Sequence, residues 1–157
     1  MAGFYGNYRK YLDPKGRIAI PAKLRYALPA GQQSQIYLTR GIERCITGYS
    51  FDEWRRFERK LLRINKDEIT KQKIIREFLG KSAETVFDKQ GRITLPANLI
   101  EHAKLNEVSE ALIVGTGNVI EIWNPELFDS EGTASEEIIR EVMGEISLYL
   151  PEEEEEQ

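Results

Sequence analysis

Hydrophobic positions along the chain change their period in the same order twice. Strand-like stretches, "YRKYL" at 8–12 and "AETVF" at 83–87, each run into Asp-x-x-Gly. A second strand-like stretch follows each, "RIAI" at 17–20 and "RITL" at 92–95. Proline then opens a helical pattern, "PAKLRYAL" or "PANLIEHA". Leu24, Ala27 and Leu28 share one apolar face there, and Leu99, Ile100 and Ala103 the other. Proline suits the first helical position, where its missing N–H has no partner to lose. The parallel continues with "IYLTRG" and "CITGYS", then "ALIVGTGNV" and "IEIWNP", which read as strand pairs around glycine-containing turns. Each pair meets a helix start. Ser50 with Glu53 has the form of a capping box, and Asn124 is a cap followed by Pro125.

Three-to-four spacing dominates the middle and the end of the chain. Phe51, Trp54, Phe57 and Leu61 form one stripe, and Ile74, Ile75, Phe78 and Leu79 another, with a break expected near 65–67. A last helix is expected from about Ser135 to Pro151, with Ile138, Val142 and Ile146 on one face. Glutamates 152–156 repel one another, which predicts a solvated, disordered tail at 151–157.

The double pattern is an internal repeat. At an offset of 75 residues, seven of the thirteen positions from 13 to 25 are identical. They are Asp13/Asp88, Gly16/Gly91, Arg17/Arg92, Ile18/Ile93, Pro21/Pro96, Ala22/Ala97 and Leu24/Leu99. The shared turn has a physical reading. Aspartate at its first position bonds backbone N–H groups ahead of it, and Gly16 and Gly91 stand where a positive φ is often required. The repeat divides the chain into a first half at 1–81 and a second at 82–150.

Composition narrows the class. The chain has 157 residues, 41% of them hydrophobic, enough to build a core. A single cysteine, Cys45, rules out an intramolecular disulfide framework and a cysteine metal cluster. No apolar run approaches the ~20 residues of a spanning helix, and the N-terminus lacks a signal-peptide core. A soluble, intracellular protein is expected. The net charge of −4 hides an asymmetry: residues 1–80 carry 17 Lys+Arg against 8 Asp+Glu, residues 81–157 carry 5 against 18. A polyanion responds to local potential more than to that sum, so an acidic chain keeps the option of a nucleic-acid face.

Catalytic constellations are hard to find. His102 lies in a helical pattern, where a structural or surface role is expected. Cys45 sits in a strand-like run, where a buried small hydrophobe is expected. "GTG" at 115–117 has no helix signal after it and reads as a hairpin turn. The repeated Asp-x-x-Gly-Arg is different. It brings Arg17 and Arg92 to matching points beside two hairpin tips, with Arg9, Lys10 and Lys15 around the first. Arginine presents a planar fork that meets a phosphate or a guanine edge at two points. Lys15 would reach a phosphate as a point charge, and a two-stranded ribbon fits a major groove. The plain alternative is an Asp13–Arg17 pair that only closes the turn. In the second copy Lys89 and Gln90 replace Pro14 and Lys15, which makes the first copy the stronger contact. The helix "FDEWRRFERKLLRINK" is basic and amphipathic; a core stripe with a solvated basic face is expected, a membrane-surface helix the alternative.

"FYGNYRKYLDPKGRIAIPAKLR", "DKQGRITLPANL" and "GIERCITGYSFDEW" together resemble the MraZ family of bacterial regulators, over about residues 3–145. One Asp-x-x-x-Arg motif would suggest only the broader AbrB/MazE superfamily; the pair is specific. The resemblance implies an α+β fold of two pseudo-twofold-related, AbrB-like swapped-hairpin halves, forming a β-barrel with flanking helices. It implies homo-oligomeric rings of about eight to twelve subunits. It also implies binding to spaced direct repeats in promoter DNA and regulation of the protein's own division and cell wall operon in the cytoplasm, at the nucleoid. The DNA-binding candidates are Arg9, Lys10, Lys15, Arg17 and Arg92. Asp13, Gly16, Asp88 and Gly91 are the motif's structural residues. No cofactor, metal, membrane or small-molecule substrate is expected, and no enzymatic activity. The second reading is an antitoxin-like protein that wraps a basic partner with its acidic tail.

Overall fold

The computed structural model describes residues 3–149. The acidic tail expected at 151–157 lies outside them. The described chain is α+β, with the repeat visible element by element. The first half contains β1 (Asn7–Tyr11), β2 (Arg17–Ala19), α1 (Ala22–Arg25), β3 (Gln35–Arg40), β4 (Ile46–Tyr49), α2 (Phe51–Leu62) and α3 (Glu68–Phe78). The second contains β5 (Ala83–Val86), β6 (Arg92–Thr94), α4 (Ala97–His102), a 3₁₀ turn (Leu105–Glu107), β7 (Glu110–Gly115), β8 (Ile120–Trp123), α5 (Pro125–Glu131) and α6 (Glu136–Tyr149).

Six strands form one antiparallel sheet in the order β1-β7-β8-β4-β3-β5, and β2 pairs with β6 as a separate ribbon. Exchanging each strand for its counterpart in the other half returns the same sheet order reversed. This is the pseudo-twofold relation, and it is swapped: the first strand of each half pairs with the third strand of the other. The axis passes the ribbon at Ile18, which is opposite its own counterpart Ile93. Both isoleucines are buried beside Leu24, Leu99, Ile36, Ile113 and Ile122 in the main core. β1 and β5 are the edges of the larger sheet. Each leads through its Asp-x-x-Gly-Arg turn into the ribbon, and the isolated bridge Leu12–Ile18 links sheet to ribbon in the first half. The six-stranded sheet and the ribbon are separate in their pairing, so the strands do not form the expected barrel as one closed ladder.

The helix signals hold with small shifts. Ser50 Oγ accepts the N–H of Glu53 at 3.2 Å, and Asn124 Oδ1 that of Glu126 at 2.9 Å, with Pro125 at the first helical position. The break between α2 and α3 is capped by Asp67, which accepts the N–H of Thr70 at 2.9 Å. Pro21 and Pro96 stand one position earlier than expected. Their ψ angles of 138° and 148° are extended, so each proline is the cap residue and the helix starts after it. The α2 stripe packs on the sheet: Trp54 stacks on Tyr37 at 5.8 Å between centroids, and Phe57 on Tyr49 at 5.1 Å. That occupies the apolar face a membrane would need. Among the described residues no helix is long and apolar enough to cross a membrane.

Candidate nucleic-acid interface

The two Asp-x-x-Gly-Arg turns are built alike, bond for bond. In the first, the Gly16 N–H donates to Asp13 O at 3.0 Å and the Asp13 N–H to Arg17 O at 3.1 Å. Asp13 Oδ1 accepts the N–H groups of Lys15 and Arg17 at 2.9 and 2.8 Å. Asp13 Oδ2 accepts Arg17 Nε at 2.6 Å. The second repeats this with Asp88, Gln90, Gly91 and Arg92, where Oδ1 accepts at 2.9 and 2.9 Å and Oδ2 takes Arg92 Nε at 2.8 Å. Each glycine has the positive φ the turn demands, +78° at Gly16 and +74° at Gly91.

One carboxylate therefore does two things in each turn. Its first oxygen closes the backbone loop and its second fixes the arginine. The Arg17 N–H lowers the Asp13 pKa most; burial opposes it, and the guanidinium adds to it. The Arg92 N–H acts on Asp88 in the same order. Both acids are thus ionised at neutral pH. The plain Asp–Arg pairing is present in both copies, yet it engages only Nε. Among the described residues the terminal nitrogens of Arg17 and Arg92 have no hydrogen-bond partner, and each guanidinium keeps its two-point edge.

The ribbon aims both arginines the same way. Arg17 is opposite Thr94, and Arg92 opposite Ala19, so all four side chains leave the face away from the buried Ile18–Ile93 pair. Each turn also leans on the other half. The Leu95 N–H donates to Gly16 O at 2.7 Å, and the Ile20 N–H to Gly91 O at 3.0 Å. The ribbon and its tips are one rigid unit rather than two loose loops.

The other sequence candidates divide. Lys15 is exposed at the first tip. Lys10 is half-buried on β1, on the face it shares with Tyr8. Arg9 points from the opposite face and pairs with Glu110 at 3.6 Å, where Glu107, Glu126 and Asp129 line the same cleft. That acidic surrounding separates Arg9 from the ribbon arginines. Sequence reasoning missed Arg25. Its guanidinium lies under the second tip: a side chain at Gly91 would meet Arg25 Cζ at 2.7 Å. Arg25 Nε is held by Ile20 O at 3.0 Å. The equivalent position under the first tip is Ile100, whose Cδ1 would meet a Gly16 side chain at 3.1 Å. Setting Arg25 against Ile100 in the repeat alignment was the available signal. It puts a cation beside the copy whose own tip has Gln90 in place of Lys15.

The remaining reactive groups are tied down. His102 Nε2 is 3.0 Å from Glu43 O. Cys45 is buried, and burial with the nearby Glu121 carboxylate pushes its thiol up, away from thiolate chemistry. "GTG" turns between β7 and β8, where the Thr116 N–H donates to Val119 O at 3.0 Å.

The family model described as "MraZ protein, putative antitoxin-like" matches the chain twice, over residues 4–77 and 78–138. The matches meet end to end at residues 77 and 78, in the last turn of α3, so the duplication in the sequence, the pseudo-twofold in the sheet and the doubled family match are one feature. The chain belongs to the MraZ family.

Proposed function

We propose that this protein is a sequence-specific, double-stranded-DNA-binding transcriptional regulator that reads its site with the outer face of the β2–β6 ribbon. Membership in the MraZ family supports a DNA-binding, regulatory and non-enzymatic role at the level of the family. The observation that carries the finer reading is the pair of arginines on one ribbon face, each held at Nε by an aspartate and open at its terminal nitrogens. A ribbon of two strands fits the major groove, and an arginine fork meets the O6 and N7 of guanine. Fixing Nε beforehand lowers the ordering cost of that contact. Lys15 at the first tip and Arg25 beside the second are suited to the flanking phosphates.

Its target in this reading is the spaced direct repeats ahead of its own division and cell wall operon. Several copies in a ring would engage several repeats together, which raises avidity without new contacts. Fluorescence anisotropy on that promoter DNA, with Arg17→Ala and Arg92→Ala across a salt series, tests the reading. Specific, strongly salt-dependent binding that each variant weakens supports it. Binding indifferent to both variants overturns it.

The family's printed description includes "antitoxin-like", and this favours a second reading, in which the acidic C-terminal region binds a basic protein. A defined basic partner that binds wild type and Arg17→Ala equally, without promoter binding by either, would favour it.

A further inference from the structure

The pseudo-twofold that relates the two strands of the ribbon holds for the backbone and breaks in the side chains. At the repeat offset Ala19 answers to Thr94, and Arg25 to Ile100. The register places Thr94 opposite Arg17 and Ala19 opposite Arg92. One end of the outer face therefore has an arginine beside a hydroxyl, the other an arginine beside a bare methyl. Thr94 is exposed. Its N–H reaches Thr85 Oγ1 at 3.4 Å, while its own hydroxyl has no hydrogen-bond partner among the described residues.

Charge is uneven as well. Asp13 with Arg17, and Asp88 with Arg92, cancel as pairs at 2.6 and 2.8 Å. The net positive charge of the tips comes from Lys15 at the first, and from Lys89 and Arg25 at the second. None of these three pairs with an acid among the described residues. Arg25 is held in the manner of the ribbon arginines. Its Nε donates to Ile20 O at 3.0 Å, its Cζ is 5.6 Å from the Tyr26 ring centroid, and its terminal nitrogens have no partner among the described residues. The group that holds it is a neutral carbonyl, so Arg25 keeps its full charge where Arg17 and Arg92 do not. Under the first tip the same place is taken by the hydrocarbon of Ile100. The swap thus makes the second tip the more positive one, against the order expected from the sequence.

We infer that Thr94 and Arg25 give the ribbon a polarity on DNA: Thr94 adds base contacts beside Arg17 at one end, and Arg25 grips a backbone phosphate at the other. This polarity rests on the ribbon being a DNA reader, and it names the two residues that orient it. Threonine offers a base edge a hydroxyl as well as a methyl, alanine the methyl alone. A guanidinium held at Nε and unpaired at its fork meets a phosphate at two points. Phosphate contacts fix register and orientation without telling sequences apart, and base contacts do the reverse. A ribbon with identical ends would fit its site equally well turned end for end about the pseudo-axis. One with a base-reading end and a gripping end fits it in a single direction.

The test maps direction. A DNA-cleaving iron chelate is attached to the full chain at Pro14→Cys on the first tip, and separately at Gln90→Cys on the second, and the cuts are read on a duplex carrying one promoter repeat. Both positions are exposed, and Cys45 is buried, which keeps the label at one site. Each probe should cut on one side of the repeat, and the two probes on opposite sides. Arg25→Ile with Thr94→Ala makes the two ends alike at these positions, and each probe should then cut both sides to a comparable extent. Arg25→Ala alone should reduce the salt slope of binding by about 1 and weaken cognate and scrambled DNA equally, and Arg25→Lys should restore the slope. An Arg25 that only supports the turn would lower Tm and leave the slope unchanged, which overturns its part. Thr94→Ala should lose discrimination and keep the slope. Cutting on both sides by the labelled but otherwise wild-type chain, or one-sided cutting that survives the double substitution, overturns the polarity while the DNA reading stands. A wild type that binds promoter and scrambled DNA alike overturns both.

Discussion

Arg17 and Arg92 project from the same outer face of the β2–β6 ribbon, one on each side of the buried Ile18–Ile93 pair. Arg17 is opposite Thr94, which makes Arg92 its diagonal neighbour, roughly 7–8 Å away along the ribbon. Each guanidinium is anchored by the aspartate of its own turn, so the repeat sets two forks in fixed and symmetric positions.

Removing either fork should cost specificity more than adhesion. Arg17→Ala is expected to lose about 1–3 kcal/mol of discrimination between cognate and scrambled DNA, with a smaller loss on scrambled sequence. Arg17→Lys should restore the salt slope but not the discrimination, because an ammonium cannot bond at two points in the fork geometry. Competition anisotropy with both DNAs measures it. Equal losses on cognate and scrambled DNA would reduce Arg17 to a phosphate contact.

Asp13 separates turn closure from arginine positioning. Asp13→Asn keeps an oxygen for the N–H groups of Lys15 and Arg17 but gives up the ionic hold on Nε. It should fold with a small loss in Tm and bind cognate DNA more weakly, while Asp13→Ala should lose both. The pH sign follows from the lowered pKa. The folded carboxyl releases its proton more readily than the unfolded one, so the stabilisation is complete above the usual aspartate range. It is lost as pH falls through the folded value. Unfolding midpoints in urea between pH 6 and pH 2.5 should converge for wild type and Asp13→Asn at the acid end. Parallel curves would mean that the carboxylate charge contributes nothing.

What the sequence made legible was local. The turns could be read because their hydrogen bonds close within five residues, and the caps Ser50 and Asn124 because each bonds only two or three positions away. The surroundings of Arg25 and Arg9 could not be read. Their environments come from the swap, which brings Gly91 over Arg25 and Glu110 beside Arg9 from the far half of the chain. The α6 stripe was legible as a helix signal, yet spacing alone does not say what covers a stripe, and among the described residues nothing covers this one. The prolines were misplaced by one position because a cap and a first helical turn tolerate the same φ and differ in ψ.

The isoleucine pair on the pseudo-axis should be the most sensitive point of the ribbon. Ile18 and Ile93 are 0 and 1 % exposed. Ile18→Ala should cost about 2–5 kcal/mol and Ile18→Val about 0.5–1.5 kcal/mol. Because the two side chains touch one core, the double alanine variant should depart from additivity. Denaturant unfolding of both single variants and the double one decides it. A cost under about 0.5 kcal/mol for Ile18→Ala, the range of a surface change, would mean the ribbon is not part of the core.

His102 gives the fold a dependence on mild acid. Burial lowers its pKa; the bond to Glu43 O opposes this, and Arg40, Lys81 and Arg44 lower it further. The unfolded chain therefore takes up a proton first, and stability should fall as pH drops from about 6.5 through the folded value. His102→Gln should flatten that decline between pH 7.5 and pH 5.5 in thermal melts. An unchanged slope would assign it to other groups.

Two glycines with the same backbone angle separate strain from crowding. Gly16 has φ of +78° and Gly31 of +79°. A methyl at Gly31 meets nothing within 4 Å, whereas one at Gly16 meets Leu95 O at 2.9 Å and Ile100 Cδ1 at 3.1 Å. Gly31→Ala should therefore cost only the left-handed penalty of about 1–2 kcal/mol. Gly16→Ala must add the displacement of the backbone carbonyl of Leu95, a buried residue whose own N–H is bonded to Gly16 O at 2.7 Å. It should destabilise clearly more than Gly31→Ala, and it should weaken DNA binding at temperatures where the fold persists, since the displaced turn holds Arg17. Equal losses at the two glycines would show that the turn gives way freely. The close packing of each tip on the other half would then contribute nothing to where the arginines point.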